Sequence, residues 1–223
     1  MVLITDTQAA LRQINGTLVD AAGVAVPNEA IPGTLTSPAG AYLVDTVNFE
    51  LDGSPVDVTD IEGTLITSFA PSVFPGVPGN GSHTDNFAVE VVGFLKLPAG
   101  VTTFGVSVGA DRTDVNNDDS YSVFVGTNPR DFFATKVGEF ERNSRAFQSK
   151  QRNENQFAVN APVAGVYPFR MIYWQTGLGA NLQWYTVNEA GERILVNDPA
   201  DTRAIPSYTG STSASSSGPY VAE

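Results

Sequence analysis

The sequence contains no cysteine and a single histidine. These absences remove disulfide scaffolds, thiolate zinc sites, iron–sulfur ligation, cysteine nucleophiles and histidine-rich metal centres. Basic residues are also scarce, with Lys plus Arg at 12 against Asp plus Glu at 24, a formal charge of −12. A nucleic-acid binder needs a basic footprint, and none is visible. There is no apolar run long enough to span a membrane. The N-terminus, Met1-Val-Leu-Ile-Thr-Asp6, lacks the basic start and long apolar stretch of a secretory signal. An extracellular version of this chain is therefore expected to be a processed product or a segment of something larger.

What remains is a 223-residue acidic chain rich in turn residues, with 21 Gly and 14 Pro. Such a length can bury a core without staples, and an acidic surface suits solubility and cation binding. Helical periodicity is confined to one candidate at Thr7–Gln13, ending before Asn15-Gly16. Elsewhere, short alternating runs rich in Val, Phe, Tyr and Thr are broken by Gly, Pro, Asn and Asp, which is the signature of strands. The spacing predicts a hairpin over Leu18–Val26 and strands at Tyr42–Glu50, Ile61–Ser68, Asn86–Leu97, Thr102–Val108 and Tyr121–Val125. It continues with Thr135–Phe140, Gln156–Val159, Val166–Trp174, Ala180–Val187 and Arg193–Val196. Pro98-Ala99-Gly100 reads as a hairpin turn between two of these, and Gln175–Asn181 as another. About ten antiparallel strands at this spacing predict an all-β sandwich. The expected organisation is an N-terminal arm at 1–40, a sandwich domain at 41–198 and a Ser/Thr/Gly-rich tail at 199–223 with linker composition.

Two segments interrupt the alternation. Gly109–Asp119 (GADRTDVNNDD) gathers Asp111, Asp114, Asn116, Asn117, Asp118 and Asp119. Hard cations such as calcium take six to eight oxygen ligands of this kind, and clustered carboxylates repel one another without one. The spacing is not that of an EF-hand, and a solvated acidic loop is the alternative. Glu141–Asn155 carries Arg142, Arg145, Lys150 and Arg152. His83 lies in Asn80-Gly-Ser-His-Thr-Asp85, where a polar turn is favoured over a catalytic triad, since sequence neighbours rarely form one. Glu90, Glu139 and Glu141 could in principle supply paired carboxylates, but no pattern selects a pair. The expectation is a binding or structural protein, not an enzyme. Trp174, Trp184 and Tyr185 flank Gln175–Asn181, and alternation puts at least one of them inside, which favours core over a sugar platform.

Three stretches in fixed order resemble a known family: Phe94-Leu-Lys-Leu-Pro-Ala-Gly-Val-Thr-Thr-Phe-Gly-Val106; Asp118-Asp-Ser-Tyr-Ser-Val-Phe-Val-Gly126; and Gly165-Val-Tyr-Pro-Phe-Arg-Met-Ile-Tyr-Trp174 followed by Gly177–Trp184. Arg193-Ile-Leu-Val-Asn-Asp198 extends the match. Together they resemble the protective-antigen-type lectin-like β-sandwich of flocculins, adhesins, some glycosidases and many bacterial surface proteins. The resemblance implies that Asp118 and Asp119 ligate calcium through a cis peptide, with sugar hydroxyls completing the coordination. It also implies a second loop at Gly177, Leu178, Gly179 and Asn181. Ser120 replaces the usual glycine after the aspartate pair, and the insertion at Gly109–Asn116 brings Asp111 and Asp114 as added ligands or as a block to sugar. Two functions follow as expectations. One is a calcium-dependent carbohydrate-binding module of an extracellular or cell-surface protein, with a glycan or surface polysaccharide as partner. The other is a subunit of a filament or surface layer, self-assembling through its terminal arms by strand addition, with calcium structural or absent. The arginines of the basic loop would rim a sugar site.

Overall fold

Alternation places every second residue of a strand on one face, and here those faces meet. The computed structural model describes residues 2–59, 65–108, 119–141, 154–177 and 179–210. Among them, thirteen strands form two facing sheets and a hairpin. The first sheet contains β1 (Asn48–Glu50), β4 (Ser72–Val73), β6 (Gly100–Val108), β9 (Glu154–Ala161), β11 (Asn181–Val187) and β12 (Arg193–Leu195), in the order β4-β1-β11-β6-β9 with β12 also on β11. The second contains β5 (Phe87–Leu97), β7 (Ser120–Val125), β8 (Thr135–Phe140), β10 (Gly165–Gln175) and β13 (Ser207–Tyr208), in the order β13-β5-β10-β7-β8. The remaining pair, β2 (Val56–Thr59) and β3 (Leu65–Phe69), stands alone as a hairpin. All pairs are antiparallel except β1 with β4. The chain is therefore an all-β sandwich with one short helix, α1 (Thr7–Ile14).

The inner faces interdigitate. Phe104, Val106, Val108, Leu182 and Trp184 from the first sheet meet Leu95, Leu97, Tyr121, Val123, Phe169, Met171 and Tyr173 from the second. Trp184 is the hub, with its ring 4.7 Å from Phe169 across the sandwich and 5.6 Å from Phe104 on the neighbouring strand. Aromatic pairs at such tilted geometries contribute about 0.5–1.5 kcal/mol each beyond the area they bury.

Two expected hairpins turn out to be corners. β5 pairs with β10 and β13, whereas β6 pairs with β11 and β9, so Pro98–Gly100 carries the chain from one sheet to the other. Gly100 adopts φ +100°, which its lack of a Cβ permits. The segment between β10 and β11 does the same. Both connections have hairpin-like length and composition, and only the partner strands distinguish a hairpin from a sheet-to-sheet crossing. The Leu18–Val26 hairpin is present in miniature, bridged at Val19 and Ala25 with Gly23 at φ +79°.

Both outer faces are covered over their apolar parts. Ile172 and Trp174, outward on β10, pack under α1 against Ile4, Ala9 and Ala10. The helix starts at Asp6, whose carboxylate accepts the Ala9 N–H at 2.7 Å, and the N-cap satisfies a donor that would otherwise be orphaned. The N-terminal segment is further tied down by Ile4 N–H donating to Asn86 Oδ1 at 2.9 Å and by Asn86 Nδ2 donating to Val2 O at 2.6 Å. On the other side, Tyr185 and Leu195 pack beneath Val58 and Phe69 of the β2–β3 hairpin.

Tyr185 lies across Gly105, its register partner on β6. A Cβ at position 105 would fall 2.3 Å from Tyr185 Cε2, and the buried ring has little room to yield. Gly105→Ala is expected to cost about 1–3 kcal/mol through overpacking, and so to lower the melting temperature by roughly 2–4 °C per kcal/mol for a domain of this size. Differential scanning calorimetry checks this, and an unchanged transition would show that the ring relocates freely.

Candidate functional site

The topology forces two of the sequence-selected segments together. β7 begins at Ser120, and Ser120 sits opposite Trp174 near the end of β10. The entry to β7 and the exit from β10 are thus adjacent strand ends, and the β10–β11 connection leaves from the same place. Asp119 immediately precedes β7 and is completely buried. Asn181 opens β11 and is also buried. Its backbone N–H donates to Asp119 Oδ2 at 3.1 Å. Gly177 and Gly179 lie in the connection between. Leu178, Asp111, Asp114 and Asp118, the 118–119 peptide bond, and the basic residues Arg142, Arg145, Lys150 and Arg152 lie outside the described residues.

Beside this contact is a polar patch that alternation alone would not have singled out. Phe49 and Leu182 are register partners facing the core, so their neighbours Asn48, Glu50, Asn181 and Gln183 face the opposite side of the first sheet. All four are buried. The bonds Leu51 N–H to Ala180 O and Trp184 N–H to Val47 O make Glu50 with Asn181, and Asn48 with Gln183, the narrow pairs of the ladder, whose side chains approach most closely. Asn48 Nδ2 donates to Ala70 O at 3.0 Å and Gln183 Nε2 to Phe49 O at 2.8 Å, which fixes both amide orientations. The amide oxygens of Asn48, Asn181 and Gln183 have no hydrogen-bond partner among the described residues.

Glu50 was not among the expected site residues. Its Oε2 accepts the N–H of Asp52 at 2.6 Å and of Ser54 at 3.3 Å. Burial holds its carboxyl above the ordinary value of 4.5, and a side-chain hydrogen bond with Asp52 acts in the same direction. Asp52 is exposed at the turn and is pulled down to about 2, first by that hydrogen bond and then by Ser54. The available signal was the inward phase of Val47, Phe49 and Leu51, which turns Glu50 away from the core but does not say that the other face is covered.

The remaining candidate groups are dispersed. His83 is exposed, its Nε2 3.9 Å from Glu29 Oε2, with no triad around it among the described residues. Glu90 pairs with Arg170 at 2.8 Å and with Arg130. Glu139 pairs with Lys136, and Glu141 Oε1 accepts the Thr7 hydroxyl at 2.5 Å. Trp174, Trp184 and Tyr185 are all buried: Trp184 lies between the sheets, as alternation requires of at least one, and Trp174 and Tyr185 are covered on the outer faces by α1 and the β2–β3 hairpin. Among the described residues, no three of His, Asp and Glu are grouped as a metal centre.

A calcium site of the type the sequence resemblance implies needs carboxylate and amide oxygens in a sheltered position. Asp119 supplies a buried carboxylate, and Asn181 a buried amide oxygen without a hydrogen-bond partner among the described residues. These are oxygen donors of the kind a hard cation takes, two of the six to eight that calcium needs, and Asp111, Asp114 and Asp118 lie outside the described residues.

No protein-family model matches the chain, and no curated protein matches it. Among solved structures, the crystal structure of the PA14 domain of the antifreeze protein MpAFP aligns over 87% of this chain and 89% of its own, at 18% identity and a TM-score of 0.38. A likeness at that level carries no argument about function, and the sandwich stands on this chain's own strand pairing.

Glu50 generates a pH dependence of defined sign. Its folded carboxyl titrates above its unfolded value, so the folded state binds the extra proton and stability falls as pH rises from 4.5 through the folded pKa. Glu50→Gln is expected to raise the melting temperature at pH 7 and to lose that advantage below pH 4. Paired melts of wild type and variant from pH 3.5 to 7.5 check this, and a constant difference across the range would reject it.

Proposed function

We propose that the chain is a carbohydrate-binding module of an extracellular or cell-surface protein, acting by calcium-assisted adhesion and not by catalysis. The observation that carries this reading is the buried bond from Asn181 N–H to Asp119 Oδ2. It joins the two loops that the sequence resemblance assigns to calcium and sugar, although they lie 62 residues apart in sequence.

On this reading Asp118 and Asp119 hold the ion with the Asn181 side chain, and Asp111 and Asp114 complete or crowd the shell. The bound calcium would supply open coordination positions for vicinal sugar hydroxyls. The chain's own residues do the rest. Asp119, anchored by the Asn181 amide, presents its carboxylate without conformational search. Gly177 and Gly179 carry no side chains, so a ring can approach their backbone, and on this reading Leu178 belongs to the same wall. Arg142, Arg145 and Arg152 would favour acidic sugars by charge-assisted hydrogen bonds. A single shallow site gives weak affinity, which repetition along a surface multiplies.

Titration calorimetry with calcium and a glycan array run with and without the ion test the reading. Calcium at a hundredfold excess over its Kd should stabilise the fold by about 2.7 kcal/mol, and glycan signals should vanish in chelator. Asp118→Ala should abolish both. Asp119→Asn, which keeps an acceptor for the Asn181 amide, should lose calcium while still folding. Absence of calcium binding to the wild type would reject the site. Calcium binding without any glycan signal would leave a structural ion and reject the lectin function.

A further inference from the structure

The end of the sandwich opposite Asp119 carries an unusual surface. The β7–β8 loop, residues 126–134, places Phe132 and Phe133 side by side at 92% and 88% exposure. Isolated exposed apolar side chains are ordinary, but two adjacent, almost fully solvated phenylalanines are not. Nor are they on a slack loop. Asp131 accepts the Thr127 N–H at 2.9 Å, the Thr127 hydroxyl at 2.7 Å and the Phe133 N–H at 2.8 Å. Arg130 reaches back to Glu90 on β5, with its Nε 3.1 Å from both carboxylate oxygens. The rings contact each other at 5.3 Å, nearly perpendicular at 88°. The tip is thus held in place before any partner arrives.

The connections that leave the same end share this character. β5 passes to β6 through Pro98 and Ala99, and β9 passes to β10 through Pro162, Val163 and Ala164. Val101 is 68% exposed and Val163 44%. None of these residues is charged, in a chain of net charge −12. The charges closest to the tip are already engaged or basic: Arg130 with Glu90, Asp131 within its loop, Lys136 with Glu139, and Lys96 next to the end of β5.

We propose that this end is a docking surface for a bilayer of zwitterionic lipid, into whose interface Phe132 and Phe133 insert. Four observations choose this occupant. The phenylalanines protrude, so they need a soft acceptor and not a matching knob. Perpendicular rings offer no flat platform for a sugar face. Together the two side chains can bury about 300–500 Å², below the roughly 800 Å² per partner of a stable protein interface. Finally, the chain as a whole carries a net charge of −12. An anionic headgroup layer would be repelled, whereas a neutral one would not.

The test is flotation of the full chain with phosphatidylcholine vesicles, in EDTA so that calcium cannot bridge to lipid. The wild type should float with the vesicles, and raising the salt should not release it. Phe132→Ser with Phe133→Ser should reduce the partitioned fraction at least tenfold. Its circular dichroism and melting should be unchanged, because neither ring supports the core. Adding anionic lipid should not improve binding. Failure to float, equal flotation of the double variant, or a preference for anionic vesicles would each overturn the proposal. So would sedimentation showing that the two phenylalanines drive self-association instead. None of these outcomes depends on the calcium site, which chelation silences.

Discussion

The constraint on which the structure depends is that its two central strands are buried on both faces. β10 turns Phe169, Met171 and Tyr173 inward and Ile172 and Trp174 outward, and β11 turns Leu182 and Trp184 inward and Tyr185 outward. A two-layer sandwich buries only one face of each sheet. Fully burying an aromatic or aliphatic side chain is favourable by about 1.5–3 kcal/mol, so each outward group demands a cover. Helix α1 meets the demand on one side and the β2–β3 hairpin on the other. The segments flanking the sandwich core are thereby parts of its packing.

Legibility followed from how local each signal was. β8 could be read with its observed bounds, Thr135–Phe140, closing where the polar run Glu141-Arg142-Asn143-Ser144 begins. The helix was legible to within one residue, since Asn15 and Gly16 end it and Gly16 takes φ +67°. Partner choice was not local. Nothing in Pro98-Ala99-Gly100 says whether the next strand lies beside β5 or across the core from it. The same is true of β13: Ser207 and Tyr208 read as the start of a linker, yet they pair with Leu95 and Phe94 because Phe94 and Val166 leave an apolar outer surface for Tyr208 to cover.

The candidate site shows the same division. Asp119 and Asn181 were singled out by a resemblance to family motifs, and strand order brings them into contact. The polar row beside them was hidden because burial of an outer face depends on what lies over it. Asn48, Glu50, Asn181 and Gln183 alternate with Phe49 and Leu182 as solvent-facing residues would, yet they are sheltered. Sheltered carbonyl oxygens carry a desolvation cost unless matched by a donor or a cation. The side of the first sheet next to Asp119 is therefore polar inside a covered region, while farther along β11 the same side becomes apolar at Tyr185. That gradient along one strand face separates an apolar stretch of the sheet from a stretch of sheltered polar atoms.

The distribution of chemistry along β7 gives the molecule a direction. Buried oxygens gather where the strand begins, at Asp119, and exposed aromatic rings stand where it ends, beyond Val125. A strand of this length spans about 20 Å, and the sandwich behind it is held rigid by Trp184 between the two sheets. Contact at the aromatic end would thus point the oxygen-rich end away from the contacted surface and into solution. The two ends make opposite demands: one sequesters polar atoms from water, and the other holds apolar rings in it. An aspartate acts at each end. Asp119 accepts the amide that opens β11, and Asp131 accepts three donors around its own turn. Neither aspartate belongs to the apolar core, so each serves the end at which it stands.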